Sequence, residues 1–560
     1  MKKFFALLLT CIMALGATAC GKLVEDDDKR PSIYISLFNG GYGREWLDTI
    51  VNDYNAEKQE NKYKITIRAS KDEFNTILSN LQSGTAIYDM FLTNSYVYKM
   101  IDANLLEDIS DVWDSTPAGS DETIRGMMTG AEDYAIAYSD GKGGLYALPI
   151  QESVRGFVYD HELFLQYGLL YNEAGQFISS PTETLSDGKD GKPGTYDDGQ
   201  PETEAQWEAM ARKAYQTLGY AFVYSGKFSN YLNDIYEMIA AQYDGVDAYM
   251  LNYTYNGQYD FDNDGVLGED ENHDNDDVTE EDETITIENG YRVAEMRGKL
   301  KALEFMDKYL ACKDADLGIT NAYTYPSAGY LSYSHTDAQT DFISKTAKNE
   351  QKKIGMLVEG DWWENESKMV FDDLKNELGY DDYAFRTHEY RFMTLPYFDG
   401  QKEKGSVYTI ADNMYIGLKK QTDPEKEAIC TDFMTYMFQP KYIQNFTVAT
   451  GGVMPYDVEL TEEQEAQLSP FSKNFLELYH DPANKFINPQ LYQNKYTAIR
   501  AGLPLPTETE IGADSYYIVM NGLYYYSAQE YYDGLLTRRT KDNAWDTYVD
   551  LYNDYIAARG

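Results

Sequence analysis

One acidic stretch has the residue spacing of a calcium-binding loop. Residues 260–271 read DFDNDGVLGEDE and fit the pattern D-x-D-x-D-G-x5-E at every position. Calcium takes about six to eight oxygen ligands, and such a loop needs glycine at its sixth position and a bidentate glutamate at its twelfth. The pattern predicts a structural Ca²⁺ site, with a solvated acidic loop as the alternative. The predicted ligands are Asp260, Asp262, Asp264, Val266 and Glu271.

A second stretch is similar to shorter calcium-clasping loops. Residues 186–199 read SDGKDGKPGTYDDG, with glycines between the acidic positions. The candidate ligands are Asp187, Asp190, Asp197 and Asp198. Calcium binding and a solvated loop are equally good interpretations here. Either site would stabilise the fold and would take no part in a reaction.

The charge of the whole chain excludes several kinds of partner. The 560 residues include 93 acidic and 48 basic side chains, for a formal charge of −45. Nucleic acid and anionic membrane surfaces both need clustered lysine and arginine, so neither is expected as a partner. With so many carboxylates, two that lie close together are no evidence of acid–base catalysis. A secreted glycoside hydrolase stays open as an alternative, although the only acidic residues near predicted strand ends are Glu45, Glu152 and Glu359.

The amino terminus has the features of a secretion signal. Lys2 and Lys3 precede an apolar run, Phe4–Ala19, that is too short to span a membrane as a helix. The sequence LGATAC, followed by Gly21, resembles the lipobox of bacterial lipoproteins, in which Cys20 would carry the lipid. We therefore predict a signal peptide over 1–19 and a lipid-anchored linker over 20–30, with simple secretion as the alternative. Cys312 and Cys430 lie in helix-like patterns and are expected to be buried thiols.

The segment after the linker has the alternation of an α/β lobe. Three β-branched or apolar runs, Ile33–Phe38, Tyr63–Ile67 and Tyr88–Leu92, predict strands, and Arg44–Gln59 and Lys71–Leu81 between them predict helices. Such an order favours a largely parallel sheet. Ligands of these sheets bind beyond the carboxyl ends of the strands, so residues 39–45 and 93–96 are the turns of interest.

Residues 144–164 predict a passage between two lobes. The pattern indicates a strand at Leu145–Ala147, a second apolar run at Gly156–Tyr159 and a helix that begins at Asp160. Pro149 cannot donate a ladder hydrogen bond and is expected at a strand edge or start. The polar residues between the two runs would face a cleft, and the alternative is an ordinary edge strand.

The remainder of the chain repeats the same kinds of element. Two adjacent tryptophans, Trp362 and Trp363, follow the predicted strand Lys353–Glu359, and we expect one in the core and one at the cleft. Asp423 and Pro424 predict a helix start. TGGVMPY at 450–456 predicts a second crossing between lobes. The other predicted elements are a helix at Glu204–Leu218, strands at Phe392–Pro396 and Val407–Leu418, a helix to about Phe438, and a helical end rich in tyrosine.

Five of the motifs occur in the order that is seen in one known protein family. The lipobox, NGGYGREW, LPIQESVRGFVYD, MLVEGDWW and TGGVMPY resemble the extracellular solute-binding proteins, family 1, of ABC sugar importers. The resemblance implies an α/β, two-lobed, periplasmic-binding-protein-like fold of type II that closes by hinge motion. It places lobe 1 at 31–150 and 397–450, and lobe 2 at 151–396 and 451–560, with acidic insertions at about 183–200 and 256–290.

The resemblance also implies a binding site without catalytic groups. It places ligand contacts at Tyr42, Glu45, Trp46, Thr93, Asn94, Tyr96, Gln151, Ser153 and either Trp362 or Trp363. From residue chemistry we add Arg155, Tyr325 and Tyr456, each with a structural role as the alternative. The implied ligand is an oligosaccharide, with an α-glucan as one candidate, and the implied partner is the permease of an ABC transporter. We expect a monomer held by its lipid on the outer face of a bacterial membrane, with a peptide receptor or an adhesin as weaker alternatives.

Overall fold

The structure is a computed structural model, and it describes residues 28–69, 76–95, 97–228, 230–261, 267, 284–311, 313–314, 319–320, 323–325, 332–491, 527–538, 545–546, 549–550 and 552–553. The strands are β1 (Ser32–Leu37), β2 (Lys64–Ala69), β3 (Met90–Thr93), β4 (Ala147–Asp160), β5 (Gly219–Val223), β6 (Gly257–Gln258), β7 (Thr284–Ile285), β8 (Lys313–Asp314), β9 (Ile319–Thr320), β10 (Thr324–Tyr325), β11 (Lys353–Gly360), β12 (Tyr390–Met393), β13 (Val407–Leu418) and β14 (Lys485–Ile487).

The α-helices are α1 (Glu45–Glu57), α2 (Ile77–Ser83), α3 (Val97–Asp102), α4 (Ser110–Trp113), α5 (Ile124–Met127), α6 (Ala131–Ala137), α7 (His161–Tyr167), α8 (Glu204–Leu218), α9 (Asn230–Asp244), α10 (Val246–Thr254), α11 (Arg297–Phe305), α12 (His335–Ala347), α13 (Trp363–Glu366), α14 (Lys368–Asn376), α15 (Pro424–Met437), α16 (Pro440–Thr450), α17 (Glu462–Glu465), α18 (Pro470–His480) and α19 (Ala528–Arg538). Short 3₁₀ turns cover Gly290–Glu295 and Asp381–Tyr383, and a π-helical turn covers Met306–Leu310. Within the described residues, none of these helices is long and apolar enough to cross a membrane.

One sheet runs through both lobes. Its order is β10-β5-β11-β4-β13-β3-β1-β2, with β12 paired to β4 and β14 paired to β13. Pairing is parallel among β1, β2 and β3 and again among β5, β10 and β11. It is antiparallel where β4 and β13 join the two parallel halves. The chain therefore has the mixed α/β, two-lobed fold that the sequence predicts.

Local patterns explain the elements of the first lobe. On α1 the residues Trp46, Leu47, Ile50, Val51 and Tyr54 are buried, as the 3.6-residue period predicts. At α15 the side chain of Asp423 accepts a hydrogen bond from Glu425 N, and proline occupies the first turn, so the predicted start is confirmed. Cys430 on that helix is a buried thiol, whereas Cys312 lies outside the described residues.

The crossing segment differs from the prediction. A single strand, β4, replaces the two short apolar runs and continues from Ala147 to Asp160. Pro149 lies inside it, opposite Tyr415, where the register shifts between Met414 and Tyr415. This irregularity in the pairing accommodates a residue that has no N–H to donate. Asp160 then caps α7, since its side chain accepts a hydrogen bond from Leu163 N.

The second strand that crosses is β13. Its first residues pair with β14 and its last residues with β3, so it passes from one lobe to the other as β4 does. The sequence predicts Val407–Leu418 as a strand but not as a crossing. It predicts its second crossing at 450–456, and these residues form a loop beside β4 with a bridge between Glu152 and Val453.

Other boundaries differ by a few residues or lie outside the described parts. The predicted helix Lys71–Leu81 is described only from Ile77, and the third strand begins at Met90, two residues after the predicted start. The strand expected at Phe392–Pro396 is Tyr390–Met393. The tyrosines at 524–526 lie outside the described residues.

Candidate functional site

A cavity of about 240 Å³ lies where the crossing strands meet the first-lobe turn after β1. Both lobes and both crossing strands contribute to its wall. Aromatic rings cover much of that wall, and polar groups are interspersed among them. The lining residues are Leu37, Phe38, Gly40, Gly41, Tyr42, Gly43, Trp46, Gln151, Ser153, Arg155, Phe228, Asn230, Tyr231, His335, Trp362, Glu366 and Met414.

The alternation of β4 sets the floor of the cavity. Side chains on a strand point alternately to its two faces. Gln151, Ser153 and Arg155 share one face and line the cavity, while Glu152 between them points to the opposite face. Gln151 Nε2 donates to Ser153 Oγ at 3.3 Å, so the two side chains form one polar surface.

The turn after β1 approaches the second lobe closely. Gly41 has a φ of +39°, and a Cβ atom there would lie 3.3 Å from Cβ of Trp362. Glycine is needed because the backbone is left-handed and the tryptophan is already at contact distance. The glycine-rich sequence of this turn therefore lets the first lobe touch the tryptophan of the second.

Tyr42 joins the two lobes at the floor of the cavity. Its hydroxyl donates to Asp361 Oδ2 at 2.5 Å and lies 3.2 Å from Ser153 Oγ. Asp361 Oδ1 accepts from Val154 N on β4 at 2.8 Å. Burial raises the pKa of Asp361 to about 7, although the hydrogen bonds from Tyr42 and Val154 favour its charged form.

Arg155 lies between two aromatic rings of the second lobe. Its guanidinium carbon is 4.1 Å from the ring centroid of Tyr231 and 5.1 Å from that of Trp362. It forms an ion pair with Asp234 and donates to Asn230 O at 3.1 Å. The arginine therefore has the structural role that the sequence left open, and it also lines the cavity.

A chain of polar side chains leads from Glu366 at the cavity into the second lobe. His335 Nε2 lies 3.3 Å from Glu366 Oε1, and its ring stacks on Tyr231 with centroids 5.8 Å apart. Gln339 Nε2 donates both to Glu366 Oε2 at 2.8 Å and to the buried Glu359 Oε1 at 2.9 Å. These contacts fix the orientation of the Glu366 carboxylate.

The two tryptophans divide between cavity and core. Trp362 lines the cavity, whereas Trp363 is fully buried and packs against Tyr390 and Phe471, with centroids 4.9 and 5.7 Å away. Trp363 is thus unable to contact a ligand, which corrects its inclusion among the predicted contacts. The reason is that Trp363 begins α13 and turns toward the aromatic core of the second lobe.

Other predicted contacts lie away from the cavity. Thr93 is buried and accepts from Ser95 N, and Tyr456 is buried with its hydroxyl donating to Pro149 O at 2.9 Å. Tyr325 packs on Tyr220, with centroids 4.9 Å apart. These three residues have structural contacts in place of the predicted ligand contacts. Glu45 and Asn94 are exposed outside the lining, and Tyr96 lies outside the described residues.

The lining also contains residues that the sequence analysis missed. Phe228, Asn230 and Tyr231 follow β5, and His335 begins the helix after β10. The rule that ligands lie beyond the carboxyl ends of parallel strands finds these positions when it is applied to the second lobe. Glu366, at the end of α13, carries no such signal.

The two acidic loops differ in how much of each is described. Asp197 Oδ2 accepts from Lys189 N at 2.7 Å and Asp190 N at 3.2 Å, and Asp198 Oδ2 accepts from Gly194 N. Burial and the neighbouring Asp190 charge raise the pKa of Asp197 to about 6. Asp187 belongs to the same loop and is partly exposed.

In the loop at 260–271, Asp260 lies near Arg297 and Lys402, 3.8 and 3.5 Å away, and its other predicted ligands lie outside the described residues. Across the parts of the chain that the structure describes, no three carboxylate, histidine or cysteine side chains converge as metal ligands. Calcium binding stays a prediction for both loops.

One family model matches most of the chain. The model of the family described as "Bacterial extracellular solute-binding protein" matches residues 49–467. A solute-binding protein, RafE, in complex with raffinose is 14% identical with a TM-score of 0.53, and the alignment covers 92% of this chain and 99% of that one. No curated protein sequence matches the chain.

Two further solved structures share the fold. A chitin oligosaccharide binding protein is 12% identical with a TM-score of 0.53, over 92% of this chain and 99% of that one. A probable secreted solute-binding lipoprotein from Streptomyces coelicolor is 15% identical with a TM-score of 0.50, over 90% of this chain and 99% of that one. At these identities the likeness shows a shared fold.

Proposed function

The chain belongs to the bacterial extracellular solute-binding protein family, and from this premise we propose that it captures an oligosaccharide between its lobes and delivers it to the permease of an ABC importer. The observation that carries the proposal is the cavity itself. Both lobes and both crossing strands line it with aromatic rings and with hydrogen-bonding groups. Sugars offer apolar C–H faces to rings and hydroxyls to polar groups, so this wall suits a carbohydrate.

Lobe closure supplies the affinity in this proposal. Tyr42 of the first lobe contacts Asp361 of the second, and a Cβ atom placed on Gly41 would lie 3.3 Å from Trp362. A ligand that touches both sides stabilises the closed arrangement by its differential affinity for that arrangement. No catalytic step is required. Two of the solved structures with this fold, by their titles, concern raffinose and chitin oligosaccharides, which supports a sugar ligand.

Isothermal titration calorimetry against a glycan panel tests the proposal. The panel holds maltotriose for the α-glucan candidate, raffinose and chitotriose, each followed in parallel for released reducing ends. We expect heat of binding with at least one sugar and no release of reducing ends from any sugar. Turnover of a sugar would identify a hydrolase instead, and binding of peptides alone would identify a peptide receptor.

Trp362→Ala is the sharpest variant for this test. Loss of a stacking ring at the centre of a site is expected to weaken sugar binding by about tenfold or more. Tyr380→Ala removes a partly exposed aromatic ring that lies outside the cavity, so it serves as the matched control. Equal affinities of the two variants would contradict the assignment of the cavity as the sugar site.

Attachment to the membrane is part of the proposal. Cys20 follows an apolar signal-like run and would receive the lipid, which would hold the protein at the outer face of the bacterial membrane as a monomer. Mass spectrometry of the mature amino terminus tests this directly. We expect a lipid-modified Cys20 in the membrane fraction and release of a Cys20→Ala variant into the medium.

Structural calcium is the remaining part of the proposal. Asp262, Asp264 and Glu271 would hold one ion in the loop at 260–271, and Asp197 with its loop partners would hold another. Calcium that binds only the folded state raises its stability. We expect the melting temperature to rise in 1 mM CaCl₂ relative to EDTA, a concentration of about the order that extracellular sites require. An Asp262→Asn and Asp264→Asn double variant and an Asp197→Asn variant assign the effect to one loop or the other.

A further inference from the structure

The charged groups of the cavity wall are not equivalent. Among the described residues that line it, Arg155 is the only lysine or arginine and Glu366 is the only carboxylate. Arg155 is held in an ion pair with Asp234, whereas Glu366 presents its carboxylate at the wall. This difference bears on which kind of sugar the cavity accepts, and the inference below rests on the proposed function.

Arg155 is already committed to a protein carboxylate. Its side chain is 3% exposed and that of its partner Asp234 is 10% exposed. The guanidinium also donates to Asn230 O and has an aromatic ring on each side. A ligand carboxylate that drew this cation away from Asp234 would leave a buried charge without its partner.

Glu366 stays ionised at the cavity surface. Burial raises the pKa of its carboxyl, but the hydrogen bond and charge interaction with His335, together with hydrogen bonds from Gln339 and Gly41 N, outweigh burial and lower it below the ordinary value. Its side chain is 19% exposed and lines the cavity. The neighbouring Glu359 is buried, and burial together with the Glu366 charge raises its pKa to about 7. An anion in the cavity would therefore face the Glu366 carboxylate, whose charge the neighbouring His335 offsets only when its imidazole is protonated.

We infer that the cavity selects sugars without negative charge, and that Glu366 is the residue that excludes acidic sugars such as uronates. A neutral hydroxyl can donate to the Glu366 carboxylate. A ligand carboxylate cannot donate when ionised, and it would be repelled by Glu366 at a distance where little water screens the charges. Glu366 thus acts on specificity through its charge, beyond any hydrogen bond that it forms.

Matched neutral and acidic trisaccharides test the inference. Calorimetry compares maltotriose, raffinose and chitotriose with trigalacturonate and with maltotriose oxidised to a uronic acid at its terminal C6. For the wild-type protein we expect each acidic sugar to bind about a hundredfold or more weakly than the best neutral sugar. Binding of an acidic sugar as tight as that of a neutral one would overturn the inference and leave the proposed sugar receptor intact.

The variant Glu366→Gln removes the charge of this side chain and keeps its shape. Glutamine keeps a carbonyl oxygen that accepts from Gln339, while the fixed charge is lost. We expect this variant to gain about tenfold in affinity for the acidic sugar relative to the neutral one. Glu364→Gln is the control, because Glu364 is buried two residues away and accepts from Ser469 Oγ outside the cavity.

Ionic strength gives a readout that a purely structural role would not affect. Repulsion between Glu366 and an acidic sugar weakens as salt screens it. The ratio of neutral-sugar affinity to acidic-sugar affinity should therefore fall toward one as NaCl is added to the wild-type protein. It should change less with salt in Glu366→Gln. A Glu366→Gln variant that discriminates against the acidic sugar as strongly as the wild-type protein would overturn the role of this residue. Absence of binding by every sugar, acidic or neutral, would instead contradict the proposed function on which the inference rests.

Discussion

The two faces of β4 hold the protein together in different ways. On the cavity face lie Gln151, Ser153 and Arg155. On the opposite face the carboxylate of Glu152 accepts two hydrogen bonds of 2.6 Å, one from Tyr134 and one from Tyr479. Tyr134 belongs to α6 of the first lobe and Tyr479 to α18 of the second. One face can contact a ligand, and the other fastens both lobes to the same strand.

This difference follows from the period of a strand. Neighbouring residues point to opposite faces, so ligand contact and lobe attachment occupy successive positions of one segment. Because the two functions lie on different side chains, single substitutions should separate them. Changes on the cavity face should alter affinity most, whereas changes on the opposite face should alter stability and the relative position of the lobes.

The largest effect is expected from Arg155→Met. This change leaves the carboxylate of Asp234 buried without its ion-pair partner. Breaking a buried pair from one side costs about 3–5 kcal/mol, and we expect a loss of that order in the free energy of unfolding. Urea denaturation followed by circular dichroism measures it.

The double variant Arg155→Met with Asp234→Leu is the control for that result. Removing both charges eliminates the unpaired carboxylate, so most of the lost stability should return. Affinity for the sugar should not return, because the cation between Tyr231 and Trp362 is still missing. A double variant as unstable as the single one would contradict the view that the ion pair accounts for the loss.

The next effect tests the contact between the lobes at the cavity floor. A Cβ atom at Gly452 would lie 2.4 Å from Tyr42 Cε1 and 3.0 Å from Asp361 Oδ2. Gly452→Ala must therefore push Tyr42 away from Asp361, at a strain of about 1–3 kcal/mol. We expect sugar affinity to fall about tenfold by calorimetry, since closure brings these groups together.

Gly534→Ala provides the matched comparison, because nothing lies within 4 Å of a Cβ atom placed there. That variant should bind sugar with wild-type affinity. If Gly452→Ala also binds normally, the closed contact between Tyr42 and Asp361 does not contribute to capture.

A smaller effect is expected on the opposite face of β4. Glu152→Gln removes the anionic acceptor of two tyrosine hydroxyls, and the free energy of unfolding should fall by about 1–2 kcal/mol. Sugar affinity should change less than in Gly452→Ala, since Glu152 does not line the cavity. Thermal and urea denaturation give the stability of each variant, and calorimetry gives its affinity for sugar.

Tyr134→Phe and Tyr479→Phe show how much of the stability lost in Glu152→Gln comes from the contact with each lobe. Each removes one hydroxyl donor and leaves the ring in place, so each should show part of the loss seen in Glu152→Gln. A normal Tyr479→Phe variant beside a destabilised Tyr134→Phe variant would show that Glu152 is fastened to the first lobe alone.

The sequence predicted what depends on local patterns. The buried face of α1 follows from its period, and the start of α15 follows from the side-chain chemistry of Asp423. The same holds for α8, where Thr203 and Gln206 form a capping box at the predicted start. In each case the information lies within a few residues.

The sequence could not predict what depends on distant partners. Whether Val407–Leu418 is an ordinary strand or a crossing strand depends on its pairing with β3, β4 and β14, which its own residues do not encode. Tyr231 and His335 reach the cavity because β5 and β10 lie side by side. The polar residues of β4 predicted a cleft, but the expectation that all of them face it is wrong for Glu152, which turns to the opposite face. Nor did the sequence identify Asp234 as the partner of Arg155.

The smallest effect concerns the pH dependence of stability, and it isolates one buried carboxyl that accepts a hydrogen bond from Tyr42 of the cavity wall. The pKa of Asp361 rises from 3.8 to about 7 in the folded protein, chiefly by burial. The folded state therefore holds a proton that the unfolded chain has lost, and the resulting stability, present below about pH 4, is lost as the pH rises through 7. Between pH 6 and 8 this group should lower the free energy of unfolding by on the order of 1 kcal/mol.

Glu359 and Glu364 act in the same direction, because burial also raises the pKa of each of these carboxyls to about 7. Asp361→Asn separates the two causes. It cannot titrate, so its stability should fall less between pH 6 and 8 than that of the wild type, whereas Asp381→Asn, at an exposed position, should follow the wild type. Parallel curves for all three proteins would show that the Asp361 carboxyl does not titrate in this range.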